Sequence, residues 1–511
     1  METLSDEVWD VVIAGTRIPQ SLLALSLSRS GKKVLHIDSH PYYGGSDAGL
    51  SLQDAEAWAQ DLDKSSSTVF KAASIVHPSR SAEEPAVKLA SSRSYTLCLN
   101  PQIIYARSDF LPKLVSSRIH TQLEFLAVGS WWVHRNGSLQ KIPSTREDVF
   151  NDVSLSMKDK RGLMKFLRYV LQEDAESSLG GEEDSALSLQ DALNTKFKVP
   201  ESLHAPLLAL ALSPRDASSI RFDIALARIR RHMLSMGYFG PGFGAVTAKY
   251  GTTSEICQVS CRAGAVGGGV YLLGHELKTL DSVTGDSSNT DQSPDGLPLL
   301  EGTLSDGTRI KTRVVVGDLD ELPHLQHGSP EGTPSTGTWR SINIVADPLK
   351  ELFPQTSDNG PVPAAAMVLV DTNAHESAKS PIYLQIHSED TGECPAGQCI
   401  IYASVTGGDG AAKDRLQSAV NTFLDTTSAK GSLLWSLSYL VLDSANDPTL
   451  PYPPLRKQSS QILLFPPAPQ DISFPDGVLS TVRDAWATIM NASPEDGSFL
   501  QFDEGDIEAE Q

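Results

Sequence analysis

The residues of this chain best placed to do chemistry are Gly15-Thr16-Arg17-Ile18-Pro19-Gln20, which follow an apolar strand pattern over 9–14 and open an apolar helix. A G-x-G-x-x-G turn at such a junction cradles a pyrophosphate. Its first glycine makes the turn, its second lets the backbone approach the ligand, and its third lets helix and strand pack closely. Only Gly15 of the three glycines is present; Arg17 stands at the approach and Gln20 at the packing position. Asp38, at the end of a second apolar strand pattern over 34–38, is the acid expected on a ribose hydroxyl. Amides at a helix N-terminus attract phosphate whatever the side chains, which keeps a dinucleotide reading open. Pro19 removes one amide and two glycines are gone, which favours a scaffold kept without its ligand.

A second constellation lies at 250–273. On a helix, Glu255, Gln258 and Arg262 fall at i, i+3 and i+7 and share one polar face, while Ile256, Val259 and Ala263 line another. Gly267-Gly268-Gly269 then leads into a strand that begins Val270-Tyr271. The pattern fits the solvated face of an amphipathic helix, and equally a binding surface with an aromatic beside it. Pro41-Tyr42-Tyr43-Gly44-Gly45 has the same two readings, a turn or a pair of exposed aromatic anchors. Cys257 and Cys261 sit one helical turn apart, and Cys394 and Cys399 bracket a Gly/Pro turn; neither pair has the knuckle of a structural zinc site, so no metal is expected. There is no nucleophile elbow, Walker loop, HExxH or kinase signature, and His36 lies in an apolar strand as a core residue. No catalytic residue is indicated.

The elements that must hold these residues begin with a β-α-β unit over 8–50. Three-to-four spacing predicts a helical stretch over 95–126, Asn136-Gly137 predicts a hairpin over 131–142, and helices follow at 156–171, 203–212 and 218–233. Mixed α/β structure resumes with a helix at 254–266 and a strand at 270–273. A hairpin turning at Asp306-Gly307, strands at 364–370, 382–386 and 400–405, and helices near 411–424 and 478–490 complete the pattern. The domain reading is an α/β part at 1–109, a helical domain at 110–235, the α/β remainder at 236–490 and an acidic, disordered tail at 491–511. Hydrophilic stretches at 173–184, 281–298 and 327–338 read as a linker and two insertions.

At 511 residues, 40% apolar and 21% charged, the composition is that of a globular protein of two or three domains. The net charge of −21 disfavours nucleic acid, which lysines and arginines must neutralise, and autonomous docking on anionic lipid. An acidic N-terminus, five cysteines without framework spacing, and no apolar run near the ~18 residues of a membrane span lead to a cytoplasmic expectation.

Two segments carry a family resemblance. Gly31-Lys32-Lys33-Val34-Leu35-His36-Ile37-Asp38 with Pro41-Tyr42-Tyr43-Gly44-Gly45 is similar to the first conserved region of the Rab GDP-dissociation inhibitors and Rab escort proteins. Tyr250-Gly251, Glu255-Ile256-Cys257-Gln258, Arg262 and Gly268-Gly269-Val270-Tyr271-Leu272-Leu273 resemble the second, with one extra residue before Glu255 and with Gly267 where relatives carry a large aromatic. The segment Ile142-Pro143-Ser144-Thr145-Arg146-Glu147-Asp148-Val149-Phe150-Asn151, with 160–167, resembles the escort branch more than the inhibitors.

The resemblance implies an α/β, FAD/NAD(P)-binding (flavoprotein-like) domain with a degenerate fingerprint and no cofactor, plus a smaller helical domain. It implies a non-catalytic protein that binds GDP-bound Rab GTPases through a platform of Tyr43, Glu255, Arg262 and Tyr271. The helical domain would hold geranylgeranyl groups and dock the catalytic heterodimer of Rab geranylgeranyl transferase, and the lipidated product would be delivered transiently to membranes. The alternatives are a dissociation inhibitor that recycles prenylated Rabs and, from another class, a flavin-dependent oxidoreductase.

Overall fold

The computed structural model describes residues 4–62, 67, 69–78, 87–143, 156–172, 187–240, 242–282, 298–325, 337–355, 360–371, 380–427, 429–442, 451–493 and 496–502. The escort-like Arg146 segment, the 173–184 linker and most of the two hydrophilic insertions lie outside the described residues.

Two large sheets organise the molecule. Val8–Ala14 and Val34–Asp38 are apolar along most of their length because both faces of a central parallel sheet are covered. They pair in parallel, Val11 beside Val34 and Ile13 beside His36. Val270–Leu273 adds to the outer edge with Tyr271 beside His36, and Arg309–Gly317 flanks Val8–Ala14 on the other side. The antiparallel pair Leu300–Leu304 and Leu277–Ser282 extends the sheet beyond it. On one face pack the helices Ile18–Arg29, Thr253–Val266 and Gly477–Met490. Ile18–Arg29 is caught between the sheet and the other two helices and is buried at every position except Arg29, which is why its apolar residues follow no single stripe.

The second sheet has ten strands. Its spatial order is Phe70–Val76, Leu433–Leu442, Gly337–Val345, Cys399–Thr406, Ile382–His387, Ala365–Asp371, Phe125–Arg135, Ala245–Ala248 and Ile104–Tyr105, with Ser138–Lys141 hairpinned onto Phe125–Arg135. Asn136 and Gly137 both take positive φ in that hairpin, the backbone that an Asn-Gly turn requires. The helices Met157–Leu171, His204–Ala211 and Phe222–Ser235 close over one end of this sheet. Their shared core includes Phe166, Phe197, Phe222, Trp131 and Met367, and the Tyr383 hydroxyl donates to the Leu208 carbonyl at 3.2 Å.

Three expectations change. The stretch 95–126 is mostly short strands and turns, and its one α-helix is Phe110–Ser116; the apolar spacing there serves contacts with both sheets. The helical unit is accordingly smaller than 110–235: Phe110–Ser116 joins the core of the first sheet, Phe125–Arg135 is a strand of the second, and the described helices of the unit start at Met157. The stretch read as an acidic tail is not solvated throughout. Phe499, Leu500 and Phe502 are buried against Trp486 and Leu114, the burial of three large apolar side chains outweighing the acids around them. Residues 503–511 lie outside the described residues.

Candidate functional site

The phosphate turn is filled from within. Gly15 (φ +90°) makes the turn as its glycine should, but a Cβ placed on it would stand 3.0 Å from the Glu321 side chain and 3.1 Å from the Gln20 amide. Arg17 runs inward with only 4% of its surface exposed. Its Nη1 donates to Asp318 at 2.9 Å and Nη2 to the Pro466 carbonyl at 3.3 Å, and its Nε lies 3.9 Å from Asp47. Gln20 donates to the same Asp318 oxygen at 2.8 Å. Burial works against the Arg17 charge, but Asp318 and Asp47 more than compensate and raise its pKa. Burial raises the Asp47 carboxyl, an effect that Arg17 and Asn100 oppose.

A dinucleotide's diphosphate does not fit here. The Glu321 and Gln20 side chains take the space beside Gly15, Asp318 and Asp47 line the turn at Arg17 and would repel a diphosphate, and Pro19 lies in the first turn of the helix, where an amide would be needed.

Asp38 is fully buried and also turned to internal use. It accepts from Thr16 Oγ1 at 2.5 Å, from the His40 amide at 2.8 Å and from His40 Nδ1 at 3.0 Å. Glu321 accepts from the Ser39 amide and hydroxyl, both at 3.0 Å, and approaches His40 Nδ1 at 3.4 Å. Asp38, His40 and Glu321 thereby bring three possible metal donors within 4.8 Å of one another. Their carboxylate oxygens already accept bonds from Thr16, Ser39 and His40, so a proton on the imidazole joins them. Although burial opposes the charged ring, hydrogen bonds to Asp38 and Glu321 carry the His40 pKa up to about 10. His36 is a core residue as expected: burial pulls its pKa down to about 4, and its Nε2 meets the Gly15 carbonyl at 2.5 Å.

The other constellation faces outward. The helix Thr253–Val266 buries Ile256, Val259 and Ala263 in the first core, so the polar face predicted from spacing is the outer face. Glu255 and Gln258 are half-buried and Arg262 is exposed. Neither Glu255 nor Arg262 forms an ion pair or hydrogen bond among the described residues. Burial raises the Glu255 pKa, and the field of Arg262 partly opposes this. Tyr271 comes to the foot of the helix from the edge strand, with its ring 4.9 Å from His36 and 6.4 Å from Tyr43. Tyr43 and Tyr271 are both half-buried, so the turn after the second strand and the edge strand do place two aromatics side by side.

Sequence reasoning missed what holds this surface in place. The Tyr271 hydroxyl is buried and unpaired among the described residues, and it reaches under the helix to Gly264, where a Cβ would stand 2.3 Å away. The same Cβ would lie 3.4 Å from the Leu25 backbone, so Gly264 also sets the approach of the two helices. The helix is entered through Tyr250 and Thr252, both at positive φ, an unfavourable backbone for residues with a Cβ. Ser254 Oγ bonds the Gly251 carbonyl at 2.7 Å and fixes that entry. Asp47, Asp318 and Glu321 carried no local signal: the partners of Arg17, Gln20 and Ser39 in the loop around 318–321 are about 280–300 residues away. All five cysteines are buried and free, without a metal-type grouping among the described residues.

Residues 5–406 match the family described as GDP dissociation inhibitor. The chain belongs to that family. The Rab proteins geranylgeranyltransferase component A of Saccharomyces cerevisiae is 29% identical over 407 residues, 79% of this chain and 62% of that protein, so the chain spans about three-fifths of this relative's length. A crystal structure of Rab GDI from Plasmodium falciparum shares the fold with a TM-score of 0.63 at 20% identity, over 95% of this chain and 99% of that one. An oxidoreductase from Methanosarcina mazei shares it with a TM-score of 0.56 at 12% identity, over 93% and 99%. The family fold is therefore the α/β, FAD/NAD(P)-binding-like fold expected from the broken fingerprint, and in this member the fingerprint's own side chains fill the turn.

Proposed function

We propose that this family member is a non-catalytic Rab escort protein. It binds newly made, GDP-bound Rab GTPases, presents them to the catalytic heterodimer of Rab geranylgeranyl transferase and delivers the prenylated product to membranes. The observation that carries the reading is the outward face of Thr253–Val266: Glu255 and Arg262 form no ion pair or hydrogen bond among the described residues, and the half-buried Tyr271, next to Tyr43, reaches the same helix at Gly264. Unpaired charges able to make charge-assisted hydrogen bonds, set next to aromatic area, are what a protein-binding platform needs. The component A names of the relatives favour escort over recycling.

In this reading the helical unit docks the transferase and shelters the geranylgeranyl groups, and the protein works in the cytoplasm. No helix among the described residues is long and apolar enough to cross a membrane, which is compatible with that location.

The test is prenyl transfer from geranylgeranyl diphosphate to a purified Rab by the catalytic heterodimer, with and without this protein. Transfer only in its presence is the expected result; failure to support transfer onto any Rab removes the escort reading. The family's name and the Plasmodium fold relative favour one second reading, a dissociation inhibitor. That protein would extract prenylated Rab from membranes yet give no transfer in the same assay.

A further inference from the structure

The loop that carries Tyr43 is held at three points, and all three converge on the degenerate Gly15–Gln20 turn and the acids around it. At its start, the Ser39 amide and the His40 ring are held by Glu321 and Asp38. In its middle, the Gly44 amide donates to Thr16 Oγ1 at 2.7 Å, and Thr16 donates in turn to Asp38. At its end, the short turn Gly45–Asp47 lies against Arg17: the Arg17 Cγ is 3.4 Å from where a Gly45 Cβ would stand, and Nε is 3.9 Å from the Asp47 carboxylate. Asn100 fixes the other Asp47 oxygen at 2.7 Å. Gly44 and Gly45 both have positive φ, which glycine takes without strain, but two adjacent glycines lose much chain entropy on ordering, which these contacts offset.

We propose that the phosphate turn has become the clamp of the Tyr43 loop, with Arg17 as its positioning residue. Arg17 neutralises Asp47 and Asp318 together, so the loop end and the 318–321 loop are drawn to one cation. Thr16 replaces a ligand contact with a loop contact, and Tyr43 is held beside Tyr271 as the consequence. This rests on the platform reading above for its functional side, while the clamp itself is a property of the free protein.

Two measurements on the full chain test it. Amide hydrogen exchange over 41–48 in Arg17→Ala should speed up by about tenfold or more beyond any change over 255–262, with Arg17→Lys restoring much of the protection. A double-mutant cycle for binding of a GDP-bound Rab should then be non-additive: Arg17→Ala weakens binding about tenfold in the parent and hardly at all in a Tyr43→Ala background. Unchanged exchange over 41–48 overturns the clamp whatever the Rab data show, and so does a loss of protection over 41–48 no larger than that over 255–262. Equal losses from Arg17→Ala in both backgrounds would place its effect elsewhere than Tyr43. If Tyr43→Ala leaves Rab affinity intact while the exchange prediction holds, the platform reading falls and the clamp stands.

Discussion

The phosphate turn and the helix Thr253–Val266 lie on the same sheet, and they treat their polar groups in opposite ways. Around the turn, Arg17, Asp38, Asp47, Asp318 and Glu321 are buried and each has a polar partner: Arg17 bonds Asp318 and pairs with Asp47, Asn100 bonds Asp47, and Asp38 and Glu321 accept from Thr16, Ser39 and His40. On the helix, the half-buried Glu255 and the exposed Arg262 form no ion pair or hydrogen bond among the described residues. A buried charge left alone is costly, so a pocket that has lost its ligand must either fill with neutralising side chains or lose its acids. An exposed charge costs little when unpaired, which leaves it available to a partner. The difference separates residues that hold the fold from residues free to recognise something.

The largest expected effect is on the buried side. Arg17→Ala leaves Asp318 and Asp47 uncompensated and should cost about 3–5 kcal/mol of stability in denaturant titrations. A loss under about 1 kcal/mol would mean that the turn is solvated and its pairing weak.

The next effect is a pH dependence with opposite signs at two histidines. His36 is held near pKa 4, below its unfolded value of about 6.5, so its contribution is full above pH 6.5 and is lost as pH falls toward 4. The cost is about 3 kcal/mol, and His36→Gln should flatten that limb of a stability–pH curve. His40 is raised to about 10, so its contribution is full below pH 6.5 and is lost as pH climbs through 10; His40→Gln should flatten the alkaline limb.

The outward side should show the reverse pattern. Arg262→Ala should weaken binding of a GDP-bound Rab by roughly 1–4 kcal/mol while changing stability by less than about 0.5 kcal/mol. Gly264→Ala sits between the two regions. Its Cβ meets the Tyr271 hydroxyl and the Leu25 backbone, so it should lower stability by about 1–3 kcal/mol and also weaken Rab binding. Calorimetry and titration on one preparation separate the two effects, and binding that stays intact would remove Tyr271 from the platform.

Much of this contrast was legible in the residues. The β-α-β start, the amphipathic helix at 253–266 and the Asn-Gly and Asp-Gly hairpins all express local periodicity or turn chemistry, which survive in the fold. The stretch 95–126 was misread because its apolar spacing answers to two sheets at once. Gly337–Val345 and Leu433–Leu442 were missed: both are buried along nearly their whole length, and buried polar residues break their apolar pattern, Arg340, Ser341 and Asn343 in the first and Ser436 and Ser438 in the second. The meaning of Arg17 depended on acids brought up by the 318–321 loop, a contact no local pattern encodes. Phe499, Leu500 and Phe502 were read as tail because charge outnumbers apolar residues there, although three buried side chains suffice to dock it.

The most direct test of the account is a titration of a GDP-loaded Rab into the parent protein and into Arg262→Ala, with melting temperature followed on the same samples. The account predicts an affinity weaker by about tenfold or more at an unchanged melting temperature. Equal affinity for the two proteins would contradict it.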